Sequence, residues 1–169
     1  LPGAEVVTAD CPLFVPLVEE GLVADDVVVL EIARRYREED HYEERPLITD
    51  SKKVFDYIKD DLRDLPNEEF WILTLNRAKR IVSKHCISSG GTAGTTVDIK
   101  IVLKTVLQEL ADSFIAVHNH PSGNLTPSQQ DNIITENLRK GGEAIGVPLL
   151  DHIIVAQSGY YSYLDNMKL

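Results

Sequence analysis

The stretch HNHPSGNLTPSQQD, residues 118–131, brings two histidines, a serine and an aspartate together at readable spacings. His118 and His120 are two apart, so an extended backbone turns both imidazoles to the same side. The residues leading into them, DSFIAVH, read as a buried strand, with Phe114, Ala116 and His118 on one face and Ile115 and Val117 on the other. Pro121 and Gly123 stop that strand. Thr126-Pro127-Ser128-Gln129 then reads as a helix start, with Thr126 as N-cap, Pro127 at the first helical position and Gln129 closing a capping box. Ser128 and Asp131 fall on one face of its first turn. Asp131, Ile134 and Leu138 share a helical stripe, so the carboxylate heads the buried side, where an unpaired charge is costly. Taken singly, the His-x-His pair could arise by chance, and Asp131 could be an acid favoured by the helix dipole. Together, two imidazoles at a strand end and a carboxylate at the next helix start suit a three-ligand zinc site whose fourth position is left to water.

Working outward, the chain alternates helices and strands. SKKVFDYIKDDLRDL at 51–65 reads as a helix with Val54, Ile58, Leu62 and Leu65 on one stripe. EFWILTLN at 69–76 and RIVSKHCIS at 80–88 read as a strand pair joined by a turn at Arg77-Ala78-Lys79. SSGGTAGTT at 88–96 is a loop of small residues. Residues 98–110 read as an amphipathic helix with Val102, Leu103, Val106, Leu107 and Leu110 facing the core. After the motif helix, which Gly141-Gly142 is expected to terminate, strands fall around 149–156 and 160–164. Such alternation implies a sheet covered by helices on both faces.

Composition bounds the function. A chain of 169 residues suits one domain with a small appendage. It opens at Leu1 without methionine and reads as a fragment; no signal peptide and no apolar run of membrane-spanning length is visible. The two cysteines, Cys11 and Cys86, lie far apart without CxxC spacing. They imply neither a disulfide framework nor a thiolate zinc site, and they fit a reducing cytoplasm. Cys86, in a strand, reads as a small core residue. A net charge of −10 argues against a stand-alone nucleic-acid binder. Lys79-Arg80 and Lys100–Lys104 read as solvated basic positions, so weak or no binding of duplex DNA is expected. Nothing in the sequence decides whether the chain self-associates into a homo-oligomer.

His-x-His followed by Ser-x-x-Asp resembles the signature of the JAMM metalloproteases, also called JAB or MPN domains. HNHPSG with TPSQQD, LLDHIIV at 149–155 and YYSYL at 160–164 is similar to the bacterial RadC branch, and the resemblance runs from about residue 47 to the C-terminus. It implies an α/β fold, a three-layer α-β-α sandwich around a mixed sheet, related to the cytidine deaminases. It also implies zinc held by His118, His120 and Asp131, and an upstream glutamate as general base at a strand start. NEEFWILTLN offers Glu68 and Glu69; the RadC pattern of glutamate, any residue, phenylalanine points to Glu68, with Glu69 as the fallback. Ser128 would then hydrogen-bond the zinc-bound water or the developing oxyanion, or else only cap its helix. Asp151-His152 resembles a RadC-specific signature and would either hydrogen-bond a ligand from behind or form a satisfied core pair.

The same resemblance divides the chain into an N-terminal helical appendage with a charged linker, 1–46, and a JAMM domain, 47–169. EIARRY within 13–36 resembles the last helix of a helix-hairpin-helix region, but EEGLVADDVVV lacks the glycine-rich hairpin that contacts DNA phosphate. The activity implied is zinc-dependent hydrolysis of a peptide or isopeptide amide bond, with an unknown protein or peptide as substrate. The alternative is a DNA-repair-associated DNA-binding or protein-interaction module without hydrolase activity. Nucleobase deaminases need a glutamate two after the histidine and a later pair of cysteines; His120 and the lack of paired cysteines exclude them. HNH nucleases spread their residues over a longer unit, and the His-Glu-x-x-His helix of zincins is absent.

Overall fold

The computed structural model describes residues 45–90 and 97–169, within the compact unit Arg45–Leu169. The expected appendage, all but the end of the linker and most of the small-residue loop lie outside the described residues. In chain order the elements are α1 (Ser51–Leu62), β1 (Glu69–Leu75), β2 (Ile81–Ser89), α2 (Ile99–Gln108), β3 (Ser113–Asn119), α3 (Gln129–Ala144), β4 (Leu149–Ala156) and β5 (Gly159–Ser162). The strands form one mixed sheet in the order β2-β1-β3-β4-β5. The β3–β4 pair is parallel and bridged by α3, and the other pairs are antiparallel.

Two apolar clusters, one on each face, make the three layers of the α/β sandwich. α1 lays Val54, Ile58 and Leu62 against Leu73, Leu75, Ile115, Val117, Ile153 and Val155. On the other face α2 and α3 lay Val102, Val106, Ile134 and Leu138 against Phe70, Ile72, Phe114 and Ala116. Odd and even residues of β1 and β3 sort to opposite clusters, as the two-residue period requires. β3 is buried along its whole length, the pattern of a central strand covered on both sides. That burial carries His118 into the interior.

Several sequence expectations are corrected. α3 is capped by Ser128, not Thr126: the Ser128 side chain accepts from Asp131 N–H, and the Asp131 carboxylate accepts from Ser128 N–H. This is a capping box in which aspartate does the work expected of Gln129, and Pro127 lies before the helix. Gly141-Gly142 does not end α3, which continues to Ala144 and closes on Gly146, whose φ is 75°. Gly142 instead permits close approach: a Cβ there would lie 2.5 Å from the Val147 carbonyl oxygen and 3.0 Å from the Phe114 ring. Leu107 and Leu110 do not face the core; α2 ends at Gln108, and both leucines are exposed. α1 likewise ends at Leu62, before Leu65. Cys86 is exposed rather than a core residue, because β2 is the edge strand and of its residues only Ile81 is buried.

Candidate metal centre

β1 and β3 run antiparallel with Phe70 opposite His118, so the start of β1 and the end of β3 meet at one edge of the sheet. Glu68 precedes the first residue of β1, His118 lies near the end of β3 and His120 just past it, and Asp131 stands on the first turn of α3. One ligand atom from each of Glu68, His118, His120 and Asp131 lies within 4.8 Å of all the others. His118 and Asp131 are buried, at 1 % and 6 % exposure. Beside them opens a cavity of about 640 Å³ lined by Glu68, His120, Ser128 and Asp131 together with Pro66, Asn124 and Pro127.

The hydrogen-bond network fixes which imidazole atoms face this point. The Thr135 hydroxyl donates to the Asp131 backbone carbonyl at 2.7 Å, so it accepts from His152 Nδ1 at 2.6 Å. His152 Nε2 is then an acceptor and takes the Nδ1 proton of His118 at 2.8 Å. That leaves a lone pair on His118 Nε2. His120 Nδ1 donates to the Asn124 carbonyl at 2.5 Å, which leaves the lone pair of a neutral His120 on Nε2 as well.

Two imidazole lone pairs and a carboxylate thus converge. His118 Nε2 is 3.0 Å from His120 Nε2 and 3.3 Å from Asp131 Oδ1, and His120 Nε2 is 3.6 Å from Asp131 Oδ2. Ligand atoms about 2.0–2.1 Å from a tetrahedral centre lie about 3.3 Å apart, which matches these spacings. Three acceptors with no donor among them call for a cation. Without a metal a proton serves, and the Asp131 hydrogen bond accordingly raises the His120 pKa. Burial would raise the Asp131 carboxyl, but its close contacts with the two imidazoles and the hydrogen bond from Ser128 N–H outweigh it and hold the group well below the usual carboxylate range. The donor set of two imidazoles and a carboxylate fits zinc.

The remaining candidates separate clearly. Glu69 faces away from the cluster, accepting from Trp71 Nε1 at 2.9 Å and Ser89 Oγ at 3.0 Å. Ser128 lines the cavity, and because its Oγ only accepts in the cap, its own proton is left to donate there. Asp151 and His152 have distinct jobs. Asp151 accepts from Ser162 Oγ and from Leu164 N–H, pinning the turn after β5, whereas His152 backs His118. Tyr163 on that turn stacks on His152, with ring centroids 5.0 Å apart. Thr135 and Asn119 went unread in the sequence. Thr135 follows Asp131 by one helical turn, a spacing that could have flagged it.

Comparison with known proteins agrees with this fold. The family model described as RadC-like JAB domain matches residues 48–168. A UPF0758 protein of Flavobacterium johnsoniae is 42% identical over 146 residues, covering 86% of this chain and 63% of its own length. One from Porphyromonas gingivalis is 36% identical, covering 82% of this chain and 61% of its own length. A Staphylococcus aureus UPF0758 protein is 37% identical, covering 70% and 52%. The chain therefore spans between half and two thirds of these relatives. It belongs to the RadC-like JAB domain family, an α/β fold within a superfamily often hydrolytic, and it carries a candidate metal site.

Proposed function

We propose that this domain is a zinc-dependent hydrolase of the JAMM type acting on a peptide or isopeptide amide bond. The observation that carries the reading is the convergence of Glu68, His118, His120 and Asp131 beside an open cavity. His118, His120 and Asp131 are the residues that would hold zinc. When bound there, zinc supplies Lewis acidity, polarising a carbonyl and lowering the pKa of water toward about 7.

The protein's own groups do the rest. Glu68 takes the proton of the attacking water and returns it to the leaving amine, acting as base and then acid. Its half-buried place at the cavity wall puts the carboxylate beside His120, whose pKa its negative charge helps to raise. Ser128 donates its hydroxyl proton to oxygen in the cavity, stabilising charge as it develops on the substrate carbonyl. His152 and Thr135 hold His118 in the tautomer that presents Nε2. The chain's net charge of −10 favours a protein or peptide substrate over nucleic acid.

The test is a split between metal binding and turnover. The zinc-loaded protein is assayed against a library of fluorogenic peptide and isopeptide amides. Glu68→Gln should keep zinc and lose at least about a hundredfold in hydrolysis, in the range of general acid–base contributions. Glu69→Gln should leave hydrolysis within about threefold. Loss of zinc in Glu68→Gln would make Glu68 a ligand, and inactivity confined to Glu69→Gln would reverse the assignment.

A further inference from the structure

Between the two ligand histidines lies Asn119, buried to 1 % exposure. The backbone ladder joining β1 and β3 ends at the Phe70–His118 rung. Beyond it the main chain of β3 turns to β4, and His120 N–H donates to the Val155 carbonyl. Where residue 69 would next pair with residue 119, the Asn119 side chain takes over. Its Oδ1 accepts from Glu69 N–H at 2.7 Å, and its Nδ2 donates to the Asn67 carbonyl at 2.9 Å. The amide orientation follows from these partners, since the Glu69 N–H must face the side-chain oxygen and the Asn67 carbonyl the side-chain NH2.

Both bonds land on the residues flanking Glu68. The Glu68 carbonyl itself accepts from Gly90 N–H at 2.8 Å, on the β2 side. The peptide groups on either side of Glu68 are thus tied to the strand that carries His118 and His120. A side chain reacting at a fixed point needs its backbone held to a fraction of an ångström. We propose that Asn119 is a positioning residue, the clamp that holds Glu68 against the His118–His120–Asp131 cluster. Its chemical consequence rests on Glu68 being the base of the proposed hydrolase, while its geometric consequence does not.

Two measurements separate those levels. In the metal-free protein, nuclear Overhauser contacts should join the Glu68 γ protons to the His120 ring. Asn119→Ala should abolish them while leaving those between the His118 and His152 rings. Asn119→Asp keeps the acceptor for Glu69 N–H and lacks the donor to Asn67, so it should retain them in part; it also decides the matter if the alanine variant does not fold. In the zinc-loaded protein the probe is acetohydroxamate, whose proton a base beside the metal must accept. Its Kd should rise about tenfold in Asn119→Ala, the loss of one hydrogen bond to a charged group. It should rise similarly in Glu68→Gln, and no further in the double variant, because both changes act through one carboxylate. A purely structural role would instead give additive losses. Glu68–His120 contacts that persist at full strength in both Asn119 variants, or additive losses, would overturn the proposal. Failure of the wild type to take up zinc would refute the proposed function, and the contacts in the metal-free protein would still decide the role of Asn119.

Discussion

Burial pushes the His152 pKa well below its ordinary value. Its ring therefore stays neutral and serves only as a relay of hydrogen-bond direction, from His118 through Thr135 to the Asp131 carbonyl. One chain of bonds ties two of the proposed ligands together from behind. His152→Ala should weaken zinc binding about 10–100-fold, the usual cost of losing such a partner. His152→Gln, whose Oε1 reaches the place of Nε2, should recover most of it. Chelator competition checks both, and an unchanged affinity in His152→Ala would show that the relay is idle. At this scale the sequence was uneven. His-x-His and Asp131 are local spacings and could be read directly. For the partner of His118 the sequence offered only the pair Asp151-His152 as an alternative; which of the two reaches a ligand depends on β4 pairing with β3 so that His152 sits opposite Ala116, a register set by α3 and its loops. Asn119 was hidden for the same reason: its partners at 67 and 69 come from another strand.

Two helices end in the same motif with different residues. After α3, Val147 N–H bonds to the Gly142 carbonyl and Gly146 N–H to that of Glu143; after α2, Ala111 N–H bonds to the Val106 carbonyl and Leu110 N–H to that of Leu107. Both are Schellman closures, which place one residue at positive φ. That residue is Gly146 at 75° in one case and Leu110 at 50° in the other. Leu110 is 89% exposed, so its side chain offsets little of the left-handed strain. Leu110→Gly should therefore stabilise the domain by about 1 kcal/mol, read by urea denaturation. The strand-like and helical periods were legible because they repeat along the chain, whereas this stop was not: no glycine marks it, and the apolar pattern runs on past it. The paired glycines of α3 misled in the opposite sense. Gly142→Ala should cost about 1–3 kcal/mol, since its Cβ would meet backbone. Gly141→Ala would meet only the end of the Leu103 side chain and should gain up to about 1 kcal/mol from helix propensity. Equal effects at the two positions would contradict this packing.

For the molecule as a whole, the centre ties stability to pH and to metal. In the metal-free protein the Asp131 hydrogen bond raises the His120 pKa above 6.5. Its contribution is full below that unfolded value and is lost as pH rises through the folded one. His152, with its pKa depressed, adds only a small opposing slope just above 6.5 and is neutral in both states from about pH 7.5. Zinc reverses the slope, because it needs the unprotonated imidazole. Between about pH 6.5 and 8.5 the Tm should fall in chelator and rise in zinc, by about 4 °C for each kcal/mol in a domain of this size. Parallel slopes would refute the shared site. The layered fold behind this behaviour was legible in the alternation of elements and in Phe114–His118, buried on both faces. Charge gave only its sign, and among the described residues no helix is long and apolar enough to cross a membrane. The most direct measurement is calorimetric titration of zinc into chelator-stripped protein at pH 7.5, beside His120→Ala. One zinc per chain with submicromolar Kd, weakened at least about a hundredfold in the variant, is the predicted result. No zinc uptake, or equal binding by His120→Ala, would contradict a metal centre at His118, His120 and Asp131.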